Sequence, residues 1–179
     1  NSISMTVKEH YDYHLGNFYS WVIGDFVLEQ AQQEDFFRRN AIAGSPGAIC
    51  FDLGAGHGLQ AVSLARLGFE VAAVHFSLQL LTDLDQRKEG LRIETIHDDF
   101  LHFVETTTMR ASLITCMGDT LTHLEDIWKV DKLFEESARH LLPGGKIVVS
   151  FRDLTEELTN ELRFIPVKSN DDKILTCFL

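Results

Sequence analysis

Between residues 52 and 58 the chain reads Asp52-Leu53-Gly54-Ala55-Gly56-His57-Gly58, a carboxylate followed by three glycines at alternate positions. Glycine lets a backbone approach a ligand closely, and N–H groups at a helix start suit an anion or a polar ligand edge. One glycine is enough for a tight strand-to-helix turn that binds nothing. Three of them beside an acid predict a nucleotide-type site. Asp98-Asp99 is a second candidate, able to accept hydrogen bonds from a ligand or to cap a helix starting at Phe100. In Cys116-Met117-Gly118-Asp119-Thr120-Leu121-Thr122-His123, Asp119 and His123 are candidate bases; the alternatives are a helix cap and a satisfied histidine. Tyr11, Tyr13, Tyr19 and Trp21 can close over a site, excluding water and facing a cationic group, or can anchor the first helix on a sheet. His10 and His14 have the i, i+4 spacing of a helical metal pair, but no third ligand is evident, so no metal is expected.

These residues need a scaffold, and the hydrophobic pattern supplies one. Apolar residues recurring at three- and four-residue steps from Phe18 to Ala43 predict a helix that stops before Gly44-Ser45-Pro46-Gly47. Ala48 to Leu53 is an apolar run suited to a strand buried on both faces. A helix from Leu59 to Leu67 follows, closed by Gly68, and then a strand over Val71 to Val74. Ser77 can cap a helix whose Leu78, Leu81 and Leu84 face inward and which Gly90 ends. Strands are expected at Ile93 to Ile96, Leu113 to Met117 and Lys146 to Phe151. A helix carrying Val130, Leu133, Phe134, Ala138 and Leu141 precedes Pro143-Gly144-Gly145. A short helix over Thr155 to Leu162 and a sixth strand over Ile174 to Leu179 complete the pattern. Strands alternating with helices require right-handed crossovers, hence an α/β, doubly wound, mostly parallel sheet with helices on both faces. Ligands of such sheets lie beyond the carboxyl ends of the strands, which is where the glycine turn falls.

The chain has 179 residues with 16 Lys plus Arg against 27 Asp plus Glu, a net charge of −11. That size predicts one folded core, divided here into an aromatic, helical lid segment (1–47) and the sheet (48–179). The acidic balance argues against nucleic acid and anionic membranes as partners, since both demand a basic face. No apolar run approaches the ~20 residues needed to span a bilayer. Cys50, Cys116 and Cys177 are odd in number and lack CxxC spacing, which suits a reduced, structural role and a cytoplasmic location.

The nicotinamide fingerprint places its third glycine where Leu59 stands, so that spacing is not met. The 52–58 segment instead resembles the first motif of class I, S-adenosylmethionine-dependent methyltransferases. Val71-Ala72-Ala73-Val74-His75-Phe76-Ser77 is similar to that family's second-strand segment, Ile96-His97-Asp98-Asp99-Phe100 to its adenine-contacting segment, and Leu141-Leu142-Pro143-Gly144-Gly145-Lys146-Ile147 to its turn into strand five. The segment from Cys116 to Leu124 resembles the Gly-Asn-Ser/Thr…His-Leu stretch of small-molecule methyltransferases, with Asp119 in place of Asn.

The resemblance implies a Rossmann-like fold, S-adenosyl-L-methionine as cofactor and a small-molecule methyl acceptor. Gly54, Gly56 and Gly58 would admit the methionine portion, with Asp52 near its ammonium group. Asp99, with Asp98, would accept from the adenine amino group, and Phe100 would pack on the base. Ala55, His75, Phe76, Met117 and Gly118 complete the implied cofactor set. His123 and Asp119 are the implied catalytic pair, and Tyr11, Tyr13, Tyr19 and Trp21 the lid. One departure is His75, where the family carries an acid for the ribose hydroxyls; a neutral imidazole offers a single acceptor nitrogen. A second is that one strand follows residue 163, so C-terminal strands are expected to be missing and the exposed sheet edge is free to form a homodimer. The alternatives are a noncatalytic cofactor-binding or scaffold module and, third, an NAD-dependent oxidoreductase.

Overall fold

The computed structural model describes residues 21, 24–153 and 159–178. Apolar strands alternate with helices along the chain: α1 (Phe26–Arg39), β1 (Ile49–Leu53), α2 (Leu59–Arg66), β2 (Glu70–His75), α3 (Leu78–Arg87), β3 (Ile93–His97), α4 (Phe100–Thr106), β4 (Ala111–Cys116), α5 (Ile127–His140), β5 (Leu141–Val149), β6 (Phe164–Ser169) and β7 (Ile174–Phe178). Short 3₁₀ turns cover Thr120–His123 and Asn160–Arg163. The main sheet runs β3-β2-β1-β4-β5, with every neighbouring pair parallel. From β1 the chain builds outward through β2 and β3, then returns to the other side of β1 as β4. The carboxyl ends of β1 and β4 therefore flank the switch point, where a ligand crevice forms in such sheets.

Alternation along the strands divides the core into two layers. Cys50, Val71, Ala73 and Leu113 pack with Phe37, Ala61, Leu64, Leu81 and Leu84 of α1, α2 and α3. Phe51, Leu53, Val74 and Ile114 pack on the other face with Phe100, Phe103 and Val104 of α4 and Leu133 of α5. The sheet is thus doubly wound, as the pattern predicts. Among the described residues, no helix is long and apolar enough to cross a membrane.

Several expectations are corrected. The first helix was expected from Phe18 to Ala43. In the described residues it starts at Phe26, capped by the Asp25 carboxylate on the Val27 and Leu28 N–H groups, and ends at Arg39. Leu78 is 61% exposed on α3, whereas Leu80, Leu81 and Leu84 are buried. On α5 only Leu133 and Ser137 are buried, and Phe134 is exposed, so the helix buries a narrower stripe than its apolar pattern predicts. Residues 155–158, the first half of the predicted short helix, lie outside the described residues, and a 3₁₀ turn covers Asn160–Arg163. Two strands follow residue 163, not one. β6 and β7 pair antiparallel as a separate hairpin, so neither extends the main sheet as a sixth strand. The Pro166 ring interrupts the alternation on which β6 would have been recognised, and the register shifts beside it.

Candidate functional site

The turn after β1 owes its shape to glycines with left-handed backbone angles: φ is 78° at Gly54, 54° at Gly56 and 97° at Gly58. The N–H groups of Gly54 and Ala55 both donate to the Val74 carbonyl at 3.0 Å, which ties the turn to β2. A Cβ on Gly54 would lie 2.3 Å from Thr120 Oγ1, and one on Gly58 would lie 2.2 Å from Leu84 Cδ1. Gly54 therefore lets the Thr120–His123 turn close in from the β4 side, and Gly58 lets α3 close in from the β2 side.

Beyond this turn lies an open cleft of about 790 Å³, its solvent-filled mouth included. Gly54, Ala55 and Gly56 line it from the turn, His75 and Phe76 from the end of β2, and Phe100 from α4. Met117, Gly118, Asp119 and His123 line it from the segment after β4. His57, Leu59, Gln60 and Thr120 also line it, although no role was assigned to them from the sequence. Their signal was available in part, since His57, Leu59 and Thr120 adjoin motif residues in the chain.

Asp52, Gly58, Asp98 and Asp99 stand outside the wall of the cleft. Asp52 is the penultimate residue of β1, just behind the turn, and is 2% exposed. Its Oδ1 accepts from Thr115 Oγ1 at 2.8 Å, while Oδ2 is buried without a hydrogen-bond partner. Burial lifts its pKa to about 7, against the lowering effect of the Thr115 hydroxyl and the nearby Ala61 backbone. Asp99 caps α4, its Oδ1 accepting from the N–H groups of Leu101 and His102 at 2.9 and 3.1 Å. The carboxylate of Asp98 pairs with His102 Nδ1 at 2.9 Å. The capping alternative for Asp98-Asp99 is therefore realised at Asp99.

Two imidazoles are buried against the cleft. His57, 3% exposed, stands edge-on to Phe26 at 5.3 Å, and the Arg87 guanidinium lies over the same ring at 4.9 Å. Burial, with the charges of Arg87 and His75, lowers its pKa to about 4. His75 is also held at about 4, by burial. Its Nδ1 accepts from the Ser77 N–H at 2.9 Å, and its ring stacks on Phe76 with centroids 4.5 Å apart. The single acceptor nitrogen expected for a ligand is thus already used by the chain's own backbone. Ser77 itself makes no side-chain cap bond at the start of α3, contrary to expectation.

On the opposite wall, Asp119 is paired with Arg152 Nη2 at 2.9 Å, and the Gly118 N–H donates to Ser150 Oγ at 2.8 Å. The segment after β4 is thereby fastened to the chain leaving β5. Trp21 lies near the hairpin, with Lys168 and Lys173 Nζ each 5.8 Å from its ring, and it does not line the cleft. Tyr11, Tyr13 and Tyr19, like His10 and His14, lie outside the described residues. Cys50 and Cys116 are buried free thiols, both with pKa raised by burial, Cys116 to about 12.

Comparison with known proteins agrees with this fold. Residues 50–145 match the family model described as a methyltransferase domain. No curated protein sequence matches the chain. Among solved structures it is similar to the N-methyltransferase NodS from Bradyrhizobium japonicum WM9 in complex with S-adenosyl-L-homocysteine (21% identity, TM-score 0.65, 79% of this chain and 71% of that one). It is also similar to the CcbJ methyltransferase from Streptomyces caelestis (22%, TM-score 0.62, 80% and 61%) and to a SAM-dependent methyltransferase from Agrobacterium tumefaciens (14%, TM-score 0.59, 73% and 46%). The chain spans about half the length of the last of these and of a glycopeptide N-methyltransferase of the same fold, at 46% and 49%. With the family model covering residues 50–145, the chain belongs to the methyltransferase domain family, of the class I, S-adenosylmethionine-dependent kind that its motifs resemble.

Proposed function

We propose that the cleft binds S-adenosyl-L-methionine and that the chain transfers the methyl group to a small-molecule acceptor. The observation that carries this reading is Asp52 Oδ2, a buried and unpartnered carboxylate oxygen behind a glycine turn that opens onto the cleft. Leaving such an atom unsatisfied costs on the order of 1–3 kcal/mol or more, a cost that a cationic ligand group or its water can offset. The bound cofactor supplies an electrophilic methyl group on a positively charged sulfur.

The chain's own residues then position and shield the reactants. Gly54 and Gly56 give the methionine end its close approach, and Asp52 provides the negative charge for its ammonium group. Phe100 packs against adenine. Asp99 uses Oδ1 for capping, so its Oδ2 is the oxygen proposed to accept from the adenine amino group. Holding an acceptor in line with the methyl group provides much of the rate. His123, which lines the cleft, is proposed to take the acceptor's proton. Asp119, held by Arg152, is proposed to keep the 118–123 segment in place. The net charge of −11 favours a small acceptor over a nucleic acid.

Thermal unfolding of the chain with S-adenosylmethionine, S-adenosylhomocysteine and NAD in parallel tests the binding. Ligand at about 100 times Kd adds roughly 2.7 kcal/mol. Stabilisation by the first two and not by NAD is expected; stabilisation by NAD alone, or by none, overturns the reading. Pools of small amines, hydroxy compounds and carboxylic acids then serve as acceptors, with S-adenosylhomocysteine formation as the readout. Binding without turnover on any pool favours the noncatalytic module, the second reading that the His75 departure supports.

A further inference from the structure

Thr115 stands beside Asp52 on the neighbouring strand, the two being Cα partners in the parallel pairing of β1 with β4. It is fully buried and has no part in the wall of the cleft. Cys50 and Leu113, two residues before each, pack against α1, α2 and α3, so strand alternation turns Asp52 and Thr115 to that same face. Valine has nearly the shape of threonine, so packing alone gives no reason for an oxygen here, and burying a hydroxyl is unfavourable unless it is hydrogen-bonded. The bond it makes is to Asp52. Thr115 Oγ1 lies 2.8 Å from Oδ1 and 3.4 Å from the Phe51 carbonyl oxygen, so its one proton goes to the carboxylate. Oδ1 is thereby committed to the sheet, and Oδ2, buried without a partner, is the oxygen left over. A donated bond favours the ionised carboxylate, against the burial that disfavours it. Cys50 on β1 and Cys116 on β4, the thiols that interact electrostatically with Asp52, stay protonated. From α2 the Ala61 backbone comes near, and His57 on the turn is uncharged above about pH 4. Among these neighbours Thr115 is the side chain that holds the carboxylate of Asp52.

We propose that Thr115 is a positioning residue for cofactor binding: its hydroxyl holds Asp52 Oδ1 and so presents Oδ2, with its negative charge, to the ammonium group of the ligand. The inference rests on the reading of the cleft as an S-adenosylmethionine site. Thr115 touches no ligand itself and acts through Asp52.

The test is calorimetry of the chain with S-adenosylhomocysteine from about pH 6 to 8.5, on wild type, Thr115→Val and Thr115→Ser. Removing the hydroxyl raises the pH at which Asp52 ionises, so Thr115→Val is expected to bind about tenfold more weakly than wild type at pH 7, with the difference closing as pH rises. Its proton release on binding at pH 7 is expected to approach one proton. Thr115→Ser keeps the hydroxyl and is expected to restore the wild-type profile. A loss of the same size at every pH in Thr115→Val would reduce Thr115 to packing and overturn the inference, as would wild-type affinity throughout or a serine variant that behaves like valine. Each of these leaves the cofactor reading intact, whereas no binding by wild type overturns both. The Thr115 hydroxyl proton in the wild-type protein provides an NMR readout independent of the variants' folding. It is expected to exchange slowly and to move downfield as Asp52 ionises between about pH 5 and 8. A hydroxyl resonance indifferent to that titration overturns the inference.

Discussion

Asp52 is balanced near neutrality by burial, with a pKa of about 7, and a cation placed beside it favours the charged form. Binding S-adenosylhomocysteine, which keeps the ammonium group, is therefore expected to release a fraction of a proton at pH 7. Calorimetry in buffers of different ionisation enthalpy measures this directly. An observed enthalpy independent of the buffer would sever Asp52 from the ammonium group, and Asp52→Asn should abolish the release and weaken binding about tenfold. Gly54→Ala is a steric counterpart. With φ at 78° and Thr120 Oγ1 at 2.3 Å from the added methyl group, it should lose about 1–3 kcal/mol and most cofactor affinity. Gly118→Ala, with a similar φ of 72° but open space around the new carbon, should cost about 1 kcal/mol. Equal losses in urea unfolding would show that backbone strain, and not the Thr120 contact, governs Gly54. The glycine turn and Asp52 were legible in the sequence because seven consecutive residues carry the whole motif. The bond that occupies His75 Nδ1 was not, because it depends on a backbone N–H two residues on, placed by the start of α3. The Asp119 partner was hidden for a related reason, since Arg152 is brought close only by β5 pairing beside β4.

Among the elements, the strands of the main sheet were the most readable. The central strands β1, β2 and β4 are buried along most of their length and the edge strands β3 and β5 only in part, and β1 to β4 lie within a few residues of their expected positions. Helix faces were harder, because a 3.6-residue period reveals an apolar stripe without revealing how much of it another element covers. On α5 the apolar residues Leu133 and Phe134 are adjacent, yet Leu133 is 0% and Phe134 39% exposed. Leu133→Ala should therefore cost about 2–5 kcal/mol, the loss of a fully packed side chain and the cavity it leaves, and Phe134→Ala less than about 1 kcal/mol. Chemical denaturation of the two variants decides this. A comparable loss for Phe134→Ala would mean that its exposed face is covered in solution, for example by a second copy of the chain. The hairpin of β6 and β7 was only half legible: the apolar Ile174–Phe178 run signals a strand, whereas Phe164–Ser169 is broken by Pro166 and carries Lys168.

For the whole molecule, the buried groups around the cleft set opposing pH dependences. His57 and His75 have folded pKa values near 4 against an unfolded value of 6.5. Between those values the unfolded chain binds more protons, so these histidines add stability as pH rises from about 4 to 6.5, and that stability is lost as pH falls. Asp52 acts in reverse. Its folded pKa of about 7 lies above the ordinary 3.8, so the folded state holds the extra proton and stability falls as pH rises from about 4 to 7. Over the shared window two protons oppose one, a net gain of roughly 1.4 kcal/mol per pH unit. Above about 6.5 only the Asp52 loss continues, which places the maximum of these contributions near pH 6.5. Asp52→Asn should remove the opposing effect, so that the acid-side slope approaches two protons and the decline between pH 6.5 and 7 disappears. Urea unfolding from pH 4.5 to 8 on wild type and variant measures both changes. A variant slope equal to that of wild type would mean that Asp52 titrates at its ordinary value, and the buried oxygen would then no longer support a cation beneath the glycine turn.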